Sequence, residues 1–336
     1  MNLPNLEGVR IAKTVTRAGD FLSVAREPGS ERLWLGHTDF KIYTIDFAVA
    51  QPQAEEVFTD HTSYVSSLAL FGTTLISASW DRTIRWWNVR DRQLVRTVDA
   101  HPLWVRQLAL HAGSNRLASV SDDLTCKLWD ATTGRPIRTL TGFDERIPRW
   151  DYPNKVFACA LSPDGRHVAA ADEMCRVLVW ETETGREAAR FDARGFFKDD
   201  WDRNNHPYGG IRCLRFSPDG RSLAIAGIEN SDVAIIMGKS LVQIFDWQRG
   251  EKTYEVKLND DAQYECLEYH PQGGCLVAAV GGSYSGNSVK VAFLDLAQPR
   301  VAKDVAATIP TFGFAWGENA TSFYTAGRGK VLKWDV

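Results

Sequence analysis

The 336-residue sequence has no Cys-x-x-Cys pair, no apolar run long enough to span a membrane and no surplus of basic charge. Each absence removes a class of protein. The six cysteines, at 126, 159, 175, 213, 266 and 275, lie mostly in apolar patterns such as Phe157-Ala158-Cys159-Ala160-Leu161. They read as reduced, buried small hydrophobes, and no disulfide framework is expected. Lys plus Arg number 39 against 42 Asp plus Glu, a net charge of −3 with a pI near 6.2. Nucleic acid, which demands dense positive charge, is therefore not an expected partner. The start, Met1-Asn2-Leu3-Pro4-Asn5-Leu6-Glu7, has no basic segment leading into an apolar one, so no secretory signal is expected. Without an apolar stretch of spanning length no membrane partner is expected either, and the expected compartment is the cytoplasm.

Catalytic and metal motifs are missing too. No His-Glu-x-x-His occurs, and the seven histidines show no ligand spacing. Gly281-Gly282-Ser283-Tyr284-Ser285-Gly286 misses a nucleophile turn by one position for either serine. Gly327-Arg328-Gly329-Lys330 lacks the upstream glycine and the following Ser or Thr of a phosphate loop, and it leads into a strand. No cofactor, metal or catalytic residue is expected.

What the sequence does contain is a returning phrase. It reads Ser79-Trp80-Asp81-Arg82-Thr83-Ile84-Arg85-Trp86-Trp87-Asn88, then Ser121-Asp122-Asp123-Leu124-Thr125-Cys126-Lys127-Leu128-Trp129-Asp130, and ends as Gly327-Arg328-Gly329-Lys330-Val331-Leu332-Lys333-Trp334-Asp335. A turn, a short strand and a Trp followed by Asp or Asn, at a period of about 40–50 residues, mark a propeller repeat. One four-stranded unit cannot bury both faces of its sheet, so the repeats must stack in a ring. Inner strands alternate apolar residues at Val65–Leu70, Val105–Leu110, Val156–Leu161, Ile211–Phe216 and Tyr264–Tyr269. Several lead into turns such as Ser162-Pro163-Asp164-Gly165, where Pro presets one dihedral and Gly tolerates positive φ. Degenerate copies begin at Phe21 and Thr311. The expectation is an all-β chain, residues 1–336, folded as a single seven-bladed propeller of four-stranded antiparallel blades. Residues 9–15 alternate like a strand and are expected to supply the outer strand of the last blade, closing the ring.

These copies resemble the WD-repeat family along nearly the whole chain. The resemblance implies a buried network of His, Asp, Ser or Thr, and Trp in the better repeats. His61, Asp81, Trp87 and a hydroxyl of Ser77 or Ser79 fit it in one repeat, and His101, Asp123, Trp129 and Ser119 or Ser121 in the next. A His–Asp pair beside Ser has the composition of a hydrolase triad. Because the set recurs in adjacent repeats, it reads as structural satisfaction of buried polar groups. Elsewhere the network breaks down: Met174 and Arg328 stand where Asp is expected, and Phe245 where Trp is expected.

Strand reversal places alternate connections on opposite faces of the disc. The insertions at 143–154, 192–209, 228–239 and 281–287 all fall on one face, and the opposite face has tight turns. Counting along the repeats brings Tyr64, Ser66, Trp80, Trp104, Arg106, Asp122, Phe157, Glu173 and Arg212 to the elaborated face near the channel, overlooked by Trp201. Trp, Tyr and Arg dominate binding hot spots, and the resemblance implies peptide or protein partners at equivalent positions. The plainer readings are that Trp80 is only packing and that the insertions merely cap the disc, burying residues such as Trp150 and Phe196. The functional expectation is a noncatalytic scaffold or adaptor that binds a protein or peptide on this face. The alternative is a propeller enzyme or a small-molecule or ion sensor using polar groups at the channel mouth.

Overall fold

The structure, a computed structural model, describes residues 3–147, 152–196, 210–229, 239–261, 263–281 and 289–336. Its sheets are antiparallel and follow chain order. Val65–Phe71, Thr74–Ser79, Thr83–Asn88 and Gln93–Asp99 form one four-stranded sheet. Four more begin at Val105–His111, Val156–Leu161, Gly210–Phe216 and Gln263–Tyr269. The first strands of successive sheets pack against one another around the axis, and Thr311–Trp316 packs back onto Arg10–Arg26.

The expected count of seven four-stranded blades is corrected. Six blades surround the axis among the described residues, five of four strands and one of six. The six-stranded blade runs in the order Thr311–Trp316, Ser322–Asp335, Arg10–Arg26, Arg32–His37, Ile42–Asp46 and Glu55–Phe58. The repeats at the two ends of the sequence share this sheet because two of its strands are long and uninterrupted. The first part of Arg10–Arg26 pairs with the second part of Ser322–Asp335, through Arg10 opposite Asp335, Thr14 opposite Leu332 and Thr16 opposite Lys330. Its second part pairs with Arg32–His37. Between them the register shifts from Thr16 to Asp20 and the ladder continues, with Asp20 opposite Arg328. Gly19 and Gly329, at φ 90° and 67°, absorb the bend.

The core lies between neighbouring sheets. Trp34, Phe58 and Trp87 meet at one such interface, with Phe58 stacked 4.5 Å from Trp87. Repeats without the polar network substitute apolar contacts: Phe245 is buried and stacks 4.8 Å from Phe191. Trp334 keeps one bond of the network, donating to Thr325 Oγ1 at 2.9 Å. All six cysteines are free and buried. Among the described residues no helix is long and apolar enough to cross a membrane, and no group of His, Cys, Asp or Glu is arranged to hold a metal.

Candidate functional site

The turns between second and third strands build the channel mouth. In Ser79-Trp80-Asp81-Arg82-Thr83, the Asp81 carboxylate accepts from Thr83 N at 2.9 Å, Thr83 Oγ1 at 2.7 Å and Thr62 N at 3.1 Å. This forces Arg82 to φ 74° and leaves Trp80 on the face. Asp123 repeats the arrangement with Thr125. Behind each turn lies the polar network. His61 Nδ1 meets Asp81 Oδ2 at 2.7 Å, while Nε2 meets Ser77 Oγ at 2.7 Å, which also accepts from Trp87 Nε1 at 2.8 Å. His101, Asp123, Ser119 and Trp129 have the same contacts at 2.8, 2.7 and 2.9 Å. Of the two serines open in each repeat, Ser77 and Ser119 bind the Trp; Ser79 and Ser121 accept from the turn amides of Asp81 and Asp123. Burial pulls His61 and His101 below the usual imidazole value. For Asp81 and Asp123 burial pushes upward, but bonding to the histidines prevails and both lie below the usual carboxylate range. Ser77 and Ser119 are fully buried and each also accepts from a tryptophan indole, so neither hydroxyl is open to a substrate.

One backbone bond sets the face residues in register: Trp80 N donates to Tyr64 O, Asp122 N to Trp104 O and Glu173 N to Lys155 O. Neighbouring blades thus bring their aromatics together. Trp80 and Trp104 stack with centroids 4.4 Å apart and planes 2° from parallel, and Tyr64 lies 4.8 Å from Trp80. Trp104 is 44% exposed. Arg106 lies 5.1 and 5.0 Å from the centroids of Trp80 and Trp104, and 5.1 Å from Phe157, which Arg212 approaches at 4.2 Å. Arg106 is not a free cation: its fork bonds both oxygens of Asp122, at 2.6 and 2.7 Å. Ser66 turns its hydroxyl to Val105 O at 2.7 Å and so ties adjacent blades. Glu173 is buried. Trp201 lies outside the described residues, as does Trp150. Phe196 is fully buried, which is the capping arrangement.

Sequence reasoning missed two members of this surface. Phe40, 39% exposed, lies 5.7 Å from Tyr64 and extends the aromatic row, and Leu103 beside Trp104 is 49% exposed. The signal for Phe40 was present. Asp39-Phe40-Lys41 aligns with Asp81-Arg82-Thr83, and Phe40 has the same positive φ, 75°, as Arg82. A large aromatic at a strained, exposed turn position is a functional hint.

Burial pushes the Glu173 carboxyl up to about 6, against the lowering pull of Lys155, Arg212 and Arg106 and with Asp122 adding to the rise. Because the folded value lies above the unfolded one, the proton favours folding; that contribution is complete below about 4.5 and is lost as pH rises through about 6. Glu173→Gln is therefore expected to stabilise the protein by about 2 kcal/mol at neutral pH and to leave it unchanged near pH 4. Urea denaturation at the two pH values measures this, and an equal effect at both contradicts it.

A family model described as "WD domain, G-beta repeat" matches residues 52–88, 92–130 and 202–232. The chain is similar to eukaryotic translation initiation factor 3 subunit I of Culex quinquefasciatus, 27% identical over 54% of this chain and 50% of the relative. It is similar to nuclear distribution protein nudF of Emericella nidulans, 44% identical over 20% of this chain and 15% of the relative. Meiotic recombination protein rec14 of Schizosaccharomyces pombe is 25% identical over 66% of this chain and 64% of the relative. The chain thus spans about half the length of the initiation factor subunit it matches. Two of the matched segments contain the twin His–Asp–Ser–Trp turns, and their strands are blades of a closed antiparallel ring; the chain carries WD repeats and folds as a β-propeller.

Proposed function

We propose that the protein is a noncatalytic scaffold or adaptor, working in the cytoplasm, whose ring acts as one unit and binds a protein or peptide partner on the face carrying Trp104. The observation that carries this reading is the flat Trp80–Trp104 stack, open to solvent on Trp104 and continued by Tyr64 and Phe40. Aromatic surface left wet on a rigid platform is a usual mark of an interaction site. The name of one relative, a translation initiation factor subunit, describes a part of an assembly, and this supports the reading. Arg106, held by Asp122, contributes a rigid edge to the patch and no free charge.

The test is recovery of partners from the native cell on the intact protein, followed by affinity measurement with variants. Trp104→Ala is expected to weaken binding by about 2 kcal/mol or more, roughly 30-fold, with little change in melting temperature. Arg166→Ala, at the opposite end of the inner strand Val156–Leu161, is expected to bind as the parent does. Unfolding of Trp104→Ala without a separable binding defect, or undiminished binding, overturns the assignment.

A further inference from the structure

The central channel holds a cavity of about 280 Å3 whose wall is charged, with Arg106, Arg212, Arg215, Glu265 and Glu268 among its lining residues. Two of these arginines are committed. Arg106 grips Asp122, and Arg215 donates from Nε to Glu268 at 2.7 Å with a second nitrogen at 2.6 Å. Arg212 is different. It lies over Phe157, its buried Nε has no hydrogen-bond partner, and it makes no ion pair among the described residues.

Two carboxylates interact with its charge. Glu173, outside the cavity lining, is 8% exposed, and its Oε2 is buried without a hydrogen-bond partner; its charge interacts first with that of Lys155 and then with those of Arg212 and Arg106. Glu265 interacts with Arg212 in the same way and makes no hydrogen bond or ion pair among the described residues. Room for Glu265 comes from Gly281, where a Cβ would stand 2.2 Å from Glu265 Cγ and 2.7 Å from Thr311 O. Thr311 Oγ1, fully buried, also has no partner.

Buried donors and acceptors are rarely left unpaired, and charged ones least of all. In the cavity wall, Arg212 Nε lacks an acceptor, and the part-exposed Glu265 lacks a donor among the described residues. A cation alone leaves the guanidinium unmet, and an anion alone leaves the Glu265 carboxylate unmet. We propose that the channel cavity is a binding site for a small zwitterion bearing a carboxylate and an ammonium group. The carboxylate pairs with Arg212, the ammonium with Glu265, and the connecting methylenes lie along Phe157 and Leu108; all four residues line the cavity. The cavity is near the small end of ligand pockets, which suits a compact molecule of this class.

Calorimetric titration of the intact protein with glycine, β-alanine and γ-aminobutyrate tests this, with propionate and propylamine as single-charge controls. At least one amino acid is expected to bind saturably and at least about tenfold more tightly than either control, as expected when two charge-assisted contacts are required together. Arg212→Met is expected to abolish binding and Glu265→Gln to weaken it about tenfold or more. Arg166→Ala is expected to bind as the parent does. Absence of saturable binding by all three amino acids overturns the proposal, as does propylamine binding as tightly as the best of them, or retention of binding by folded Arg212→Met. If both variants fail to fold, the comparison of amino acids with single-charge controls on the parent protein decides.

Discussion

Trp87→Ala is expected to lower the free energy of unfolding by about 3–5 kcal/mol, the range for deleting a large buried aromatic. Trp87 is fully buried, in a cluster with Trp34, Phe58, Val65 and Leu75, so its loss opens a cavity between two blades rather than a dent at the surface. The indole also donates to Ser77 Oγ, the atom that anchors His61 Nε2. Trp87→Phe keeps most of the apolar contact with Phe58 and loses the hydrogen bond and a smaller part of the ring volume, for an expected cost of about 1–2 kcal/mol. Trp129→Ala is expected to behave like Trp87→Ala, since Trp129 donates to Ser119 in the same way. Equilibrium urea melts measure all three. A cost for Trp87→Ala below that of Trp87→Phe contradicts the packing account.

The second large effect is expected from removing the residues before Thr16. They pair with the chain's far end, Ile11 opposite Trp334 and Val15 opposite Val331. Leu6 and Val9 are buried in the cluster containing Phe323 and Trp334. Lys13 Nζ donates to Phe47 O and Val49 O at 2.8 and 2.9 Å, and so ties the strand to the neighbouring hairpin. A chain beginning at Thr16 loses this ladder, uncovers Leu332 and Trp334, and breaks the ring between its first and last residues. Burial of Leu6, Val9 and Val15 alone is worth about 1.5–3 kcal/mol each, so a fall in stability of several kcal/mol is expected. The freed edge of Ser322–Asp335 is a template for another chain, so concentration-dependent association is expected as well. Thermal melts and sedimentation of the truncated chain test both expectations. Parent-like melting rules out a fastening role for this strand.

Much of the ring's local order can be read without coordinates. Strand alternation, the Pro-Asp-Gly turns and the His61–Asp81 and His101–Asp123 pairs are governed by short-range spacing, and their backbone requirements fall within one repeat. The adjacency of Tyr64, Trp80 and Trp104 follows from the same period, because equivalent positions in consecutive blades are neighbours in space. Phe40 was overlooked since its repeat has no Trp-Asp signature, although its turn alignment contained the information.

By itself, the sequence determined a β-propeller made of WD-type repeats, its polar turn networks and the face on which aromatic residues gather, because each depends on a period of strands and turns. Only the tertiary structure decided that the two end repeats merge into one six-stranded blade. That depends on ladder continuity through Gly19 and Gly329, between residues more than 300 positions apart, and no local pattern encodes it. The pairing of Arg106 with Asp122 and of Arg215 with Glu268, leaving Arg212 and Glu265 without an ion pair among the described residues, was likewise decided there. Charges at a shared channel choose partners by distance and burial across several blades, and neither quantity exists until the ring has closed.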